Sequence, residues 1–315
     1  MKPCPYCDRR YPPEGTYCFL CGGQLAEAVD SDIGRLLGAR YRLDKRLWND
    51  IRRAFRATDT RDGALCTVKI LPDPWKERRR EILQSKVEAA MRLRHPNVEA
   101  ILSCEQADGV AWLVSKALGP QHLEELIARG DHPLARVIGV ALQTARALAY
   151  CHGMNAMHGH LSPDLIFIRA TEMMEDEVTV FGFDEPIFAD PATNFFHPRL
   201  DEYVAPECVI PGPATRAGDL YALGAILYRL LTRREPPVSK DVSDALVRSR
   251  LIPSRDSDSE TPPLSRSAFA RDLPDGLETL VRSLLEPNPQ MRPRDAGVVA
   301  RELADIAAAA GVTPP

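Results

Sequence analysis

The densest chemistry in the chain lies at its start, where Cys4, Cys7, Cys18 and Cys21 form two Cys-x-x-Cys pairs. Four thiolates at this spacing can converge on one tetrahedral ion, each pair held by a tight turn. Gly22 and Gly23, which follow the second pair, relieve the steric demand of such a turn. A segment this short cannot bury a core of its own, so a bound metal would supply most of its folding free energy. The expectation is a zinc ribbon over residues 1–26, with structural zinc on the four thiolates. Redox thiols are the competing explanation of the cluster. Cys66, Cys104, Cys151 and Cys208 are isolated, mostly in apolar stretches, where a thiol acts as a small hydrophobe.

Other chemistry-bearing residues are scattered and need a fold to bring them together. Lys69 ends the run Cys66-Thr67-Val68-Lys69, two histidines punctuate His158-Gly159-His160-Leu161-Ser162-Pro163, and Asp184 follows Val180-Phe181-Gly182-Phe183. Strand-like alternation predicts strands over Tyr41–Trp48, Ala54–Thr58 and Ala64–Leu71, with a hairpin turn at Thr60-Arg61-Asp62-Gly63. A charged helix is expected over Lys76–Leu93, ending before His95-Pro96. Val98–Glu105 and Val110–Leu118 read as two further strands around Ala107-Asp108-Gly109. Beyond them helices dominate: Leu123–Ala128, Leu134–His152, Asp219–Leu231, Leu277–Leu285 and Ala296–Ala309. A small strand-rich half followed by a larger helical half implies an α+β fold in two lobes. The domain boundaries expected are a ribbon at 1–26, a linker at 27–35 and one large domain over 36–309.

Composition narrows the partners. A formal net charge of −4 offers no electrostatic case for nucleic acid or an anionic membrane surface, and Lys2, Arg9 and Arg10 are thin support for either. The longest apolar runs, 134–150 and 220–231, are interrupted by Arg136, Gln143, Arg146 and Arg229, so they read as buried or amphipathic helices. The N-terminus carries cysteines and charges where a signal peptide needs an apolar run, and a cytoplasmic protein is expected.

Several ordered motifs over residues 36–308 resemble the bacterial Hanks-type Ser/Thr protein kinases. Cys66–Lys69 is similar to the strand-three lysine motif, and Leu93-Arg94-His95-Pro96-Asn97-Val98 to the passage after the C-helix. His158–Pro163 resembles the catalytic loop, and Gly182-Phe183-Asp184 falls where that family has Asp-Phe-Gly. Ala205-Pro206-Glu207, Asp219–Gly224 and Met291-Arg292-Pro293 resemble the end of the activation segment, the buried anchoring helix and the arginine that pairs with the glutamate. The resemblance implies a bilobal protein-kinase-like fold, with a β-rich N-lobe and a helical C-lobe, preceded by the ribbon.

The same alignment implies that the chemistry has been lost. Leu47–Ala54, in place of the phosphate-closing loop, has no glycine and is one residue short. Lys69 is kept as the candidate nucleotide-binding residue, but the C-helix glutamate position falls on Lys86, with Glu88 or Glu81 as alternatives under a shifted alignment. His160 stands at the catalytic base, Ser162 at the phosphate-contacting lysine, Leu165 at the metal-binding asparagine and Gly182 at the principal metal carboxylate. Phosphoryl transfer in this fold is positioning plus charge neutralisation, so these four degenerate positions argue against Mg²⁺ and against catalysis. Thr67 and Phe167 add bulk to the purine slot and disfavour ATP, while Ser115 at the gatekeeper is small. The function expected is a pseudokinase: a signalling scaffold whose partners are proteins, an active kinase or its substrate. The alternative is a weak kinase or a repurposed phosphoryl or nucleotidyl transferase, with His160 as base and Asp164, Asp184 or Glu185 recruiting metal.

Overall fold

The computed structural model describes residues 32–48, 53–71, 87–130, 132–170, 176–184, 203–208, 214–234, 236 and 273–311, together with two short strands near the N-terminus. Those strands, β1 (Lys2–Pro3) and β2 (Arg10–Tyr11), pair antiparallel. The chain divides into two compact units, one of residues 1–94, 99–118 and 187–198, the other of 95–98, 119–186 and 199–315. The four N-terminal cysteines lie outside the described residues, as do Glu81, Lys86 and Glu185.

The first unit is built on a six-stranded antiparallel sheet: β3 (Leu36–Leu37), β4 (Tyr41–Arg46), β5 (Ala54–Asp59), β6 (Leu65–Ile70), β7 (Ile101–Ala107) and β8 (Val110–Lys116), in the order β3-β4-β5-β6-β8-β7. Its apolar face gathers Tyr41, Leu43, Phe55, Val68, Ile70 and Trp112, residues at alternate positions that a pleated strand sends to one side. The hairpin expected at Thr60–Gly63 joins β5 to β6, and the Asp59 carboxylate closes it by accepting the Arg61 amide at 3.1 Å. Arg40 grips the same carboxylate through Nε and Nη2 at 2.9 and 2.6 Å. The β7–β8 turn places Asp108 and Gly109 both at positive φ (51° and 75°), the left-handed pair that matches strand twist in a tight hairpin. Strand β7 starts at Ile101 rather than Val98, because Val98 bridges instead to Val180 of the second unit, to which residues 95–98 belong. Of the expected charged helix, residues 87–90 are helical and the part before them lies outside the described residues.

Helices make up most of the second unit: α1 (Leu123–Arg129), α2 (Leu134–Gly153), α3 (Arg216–Thr232), α4 (Leu277–Leu284) and α5 (Ala296–Ala309). Helix α3 is buried from Asp219 to Thr232 except at the half-buried Arg229, and is apolar over most of that length, as a central helix must be. It starts three residues before the expected Asp219, because the Thr215 hydroxyl caps it by accepting the Gly218 amide at 3.0 Å. At Gly224 a side chain would strike Leu284 at 2.6 Å, so glycine is what lets α3 and α4 approach. A three-stranded sheet completes the unit: β9 (Gln121–His122), β10 (Ile166–Ala170) and β11 (Asp176–Val180), ordered β11-β10-β9.

Among the isolated cysteines, Cys66 and Cys151 are buried, and burial pushes the Cys66 thiol up to about 11. Cys104 departs from the expectation of an apolar setting: it is exposed on β7. No described helix is long and apolar enough to cross a membrane.

Candidate functional site

The loop His158–Leu165 is hung from one buried carboxylate. Asp219, in the first turn of α3, accepts the His158 amide at 2.8 Å through Oδ2 and the Gly159 amide at 2.7 Å through Oδ1. His152, near the end of α2, places its ring Nε2 2.8 Å from the same Oδ2. A buried carboxylate needs this many donors, and the N-terminal end of α3 adds favourable helix dipole. The His158 ring then reads across to β11. Its Nδ1 accepts the His160 amide at 3.2 Å, which leaves Nε2 as the donor to the Phe181 carbonyl at 3.0 Å. Phe183 packs edge-on against that ring, with centroids 4.9 Å apart.

These contacts set the register around the chemistry. Ile166 pairs with Val180, and the Phe181 amide donates to the Leu165 carbonyl at 2.8 Å. Gly182 therefore stands directly before the ring that packs on His158, at φ +98°, and offers no side-chain donor. Leu165 is buried and apolar. A divalent ion of the magnesium type needs oxygen ligands, so the residues at these two positions do not fit one. The oxygen donors close by in sequence are Asp184, buried at 2% exposure, and Asp164, whose carboxylate lies 3.8 Å from His122 Nδ1.

His160 is half-buried, its Nδ1 3.4 Å from the His158 carbonyl, a contact too long to hold the ring firmly. Ser162 is buried, and its hydroxyl finds no hydrogen-bond partner among the described residues. Phe167, on β10, is buried with its ring edge-on to Phe181 at 6.1 Å and to His122 at 6.4 Å.

In the first unit Lys69 lies on β6, opposite Ala54 of β5 and Leu113 of β8, and is 5% exposed. Thr67, two residues earlier, shares its face of the sheet and sits opposite Ser115. The Ser115 hydroxyl donates to the carboxylate of Glu99, a buried acid that no motif had flagged. Glu88, one of the alternatives weighed as partner to Lys69, is exposed on the helical stretch 87–90. Of the segment 47–54 expected in place of a glycine loop, residues 49–52 lie outside the described residues; at its ends the Leu47 amide donates to the Ala54 carbonyl at 2.8 Å, and Trp48 is buried. Arg53 takes φ +42°, a left-handed conformation for which glycine would be the easy choice.

The landmarks at the end of the second unit pair as the resemblance implies. Arg292 forks onto Glu207, with Nη1–Oε1 2.6 Å and Nη2–Oε2 2.8 Å, and also donates to the carbonyls of Ala217, Glu286 and Pro287.

Comparison with known proteins agrees with this geometry. The family described as "Protein kinase domain" matches residues 51–303. The chain is 28% identical over 288 residues to Serine/threonine-protein kinase pkn3 of Myxococcus xanthus, covering 87% of this chain and 51% of that protein. It is 27% identical over 293 residues to PknA of Mycobacterium tuberculosis, covering 90% of this chain and 64% of the relative. The match thus spans between half and two thirds of these relatives. Among solved structures, the Mycobacterium tuberculosis PknI kinase domain superposes with a TM-score of 0.60 at 18% identity, over 87% of this chain and 98% of that one. With its β-sheet lobe, its helical lobe and the His158, Asp219 and Arg292 contacts in place, the chain belongs to the protein kinase domain family, in the Hanks-type superfamily of the bacterial Ser/Thr kinases.

Proposed function

We propose that the protein is a pseudokinase: a kinase-fold scaffold that binds a protein partner, an active kinase or a kinase substrate, and does not transfer phosphate. The observation that carries this is the position of Gly182. Because Phe183 packs on His158 and Phe181 is bonded to both His158 and Leu165, the residue before Phe183 is placed by contacts on each side, and it is a glycine. Buried Leu165, in place of the second metal ligand, supports the same conclusion. A general base is worth about 10²–10⁴ in rate, and metal stabilisation several kcal/mol more. His160, without a carboxylate ligand for metal at either position, replaces neither contribution.

A second reading has its own support. The relatives are named as kinases, Lys69 is present and buried, and Asp184 is a buried carboxylate one residue beyond Phe183. A metal drawn to Asp184 and Asp164, with His160 as base, would make the protein a weak or repurposed phosphoryl or nucleotidyl transferase. Thermal unfolding with ATP, alone and with Mg²⁺ or Mn²⁺, separates the two, because a ligand of the folded state raises the melting point by mass action. No metal-dependent rise is expected, and no transfer of label from γ-labelled ATP to a generic protein substrate. A rise that requires the metal, with label transfer, both disappearing in Lys69→Met and in Asp184→Asn, would establish the transferase instead; a rise without transfer would show metal-dependent nucleotide binding alone.

A further inference from the structure

Helix α1 is tied to the last turn of α3 through one side chain. Arg229, in that turn, forks onto Glu124 in the first turn of α1, with Nη2–Oε1 2.7 Å and Nη1–Oε2 2.8 Å. Each charge sits at the helix end whose dipole favours it. The Arg229 and Glu124 side chains are 18% and 13% exposed, so little water screens the pair. The two helices approach again beyond the fork. A Cβ at Gly130, which ends α1, would stand 3.4 Å from the guanidinium of Arg233, which ends α3.

The Arg229 guanidinium serves a further group. Its Nη1 also donates to the phenol oxygen of Tyr203, a residue 3% exposed. Tyr203 opens the described stretch 203–208, whose Ala205-Pro206-Glu207 resembles the end of an activation segment. Near its other end that stretch is held at the start of α3, where Arg292 takes both the Glu207 carboxylate and the Ala217 carbonyl. Between the two anchors Ala205 is buried, and its carbonyl accepts the Cys208 amide at 2.9 Å. A planar fork fixes orientation as well as distance, which a point charge does not. Glu124 therefore sets the direction from which Arg229 meets the Tyr203 phenol.

We propose that Arg229 is a strut between α1 and Tyr203. Glu124 aims the guanidinium, the guanidinium pins the phenol, and residues 203–208 keep their conformation only while α1 keeps its place. Both anchors of the stretch are side chains of the fold itself, so its order needs no added phosphate to supply the charge. The strut acts whether or not the protein transfers phosphate. It also gives a partner that grips α1, through exposed Glu125 for instance, a physical route to residues 203–208.

Amide hydrogen exchange of the full-length chain tests the strut, with the Cys208 amide as reporter and the interior of α3 as control. Tyr203→Phe removes the phenol oxygen and keeps the ring. Glu124→Gln does not touch Tyr203; it keeps one acceptor for Arg229 but sets an amide NH₂ against the second guanidinium donor. Each variant should speed exchange at Cys208 by about fivefold, the scale of one lost hydrogen bond, and leave α3 unchanged. The double variant should be no faster than either single one, because both changes cut the same connection. Arg229→Lys, which keeps the charge and loses the fork, should behave like Glu124→Gln. Unaltered Cys208 exchange in Glu124→Gln would overturn the strut, since Tyr203 would then be anchored without α1. Effects that multiply in the double variant, or an equal acceleration throughout α3, would overturn it as well.

Discussion

Asp59 and Asp219 show what one carboxylate can organise when donors surround it. Asp219 ties α2, α3 and the His158 loop together, and Asp59 ties Arg40 to the β5–β6 turn. The Arg40 guanidinium, hydrogen-bonded to Asp59, holds that carboxyl below the usual range. A carboxyl whose folded-state pKa is depressed stabilises the fold above its unfolded-state pKa, and that contribution is lost as pH falls through the folded value. Asp59→Asn should therefore lower the urea midpoint at neutral pH. The difference from the parent should be steady down to about pH 5 and should shrink below about pH 4, where the unfolded carboxyl takes up its proton. Asparagine keeps an oxygen for the Arg61 amide, so the loss reports the Asp59–Arg40 pair, its hydrogen bonds as well as its charge. Urea titrations at pH 7, 5 and 3 check it, and a gap that persisted at pH 3 would mean that geometry rather than charge is at stake. At this scale the sequence spoke unevenly. Lys69, His158 and Arg292 announced themselves through motif order, whereas Asp32, Glu99 and Asp59 have no motif and acquire meaning only through partners distant in sequence.

Among the elements, the strands and helices follow from periodicity, and their misplaced ends have identifiable local causes. Helix α3 begins at Arg216 rather than at Asp219 because the Thr215 cap stabilises the extra residues 216–218. Strands β10 and β11 are not legible in the sequence, because Ile166–Ala170 and Asp176–Val180 are short and pair within the helical half, where helix periodicity dominates the surrounding sequence. The arginine at 292 illustrates how elements are joined by something other than apolar area. Its guanidinium is fully buried, bonded to Glu207 and to three carbonyls, and stacked 5.0 Å over the Tyr221 ring. Truncating it leaves a partly buried carboxylate and several carbonyls without their donor. Arg292→Ala should cost about 3 kcal/mol of stability, near the lower end of what breaking a buried pair costs, because Glu207 keeps some contact with water. Arg292→Lys retains the charge but not the fork, and should recover less than half of that loss. Equilibrium unfolding in urea measures both, and a lysine variant as stable as the parent would show that the planar fork is dispensable.

For the molecule as a whole, the kinase fold was legible because its motifs occur in the right order over most of the chain, and order over some 250 residues is hard to imitate by chance. Activity is a different matter, since it depends on a handful of positions and on ions that sequence order does not report. The N-terminal segment poses that problem in its smallest form. The antiparallel pairing of Lys2–Pro3 with Arg10–Tyr11 spans the stretch that carries Cys4 and Cys7, an arrangement compatible with a metal-bound turn. If the four cysteines hold zinc, each must be a thiolate, and the metal must be doing the work that a core does elsewhere. Purified protein should then contain one zinc per chain by elemental analysis, and Cys4→Ser with Cys7→Ser should release it. The six-stranded sheet and the helical unit each bury their own apolar residues, so far-ultraviolet circular dichroism and the main unfolding transition should survive the loss. Zinc-free protein from a metal-replete preparation would rule out the ribbon. Loss of the main transition on releasing the metal would show instead that the ribbon and the strand unit fold as one.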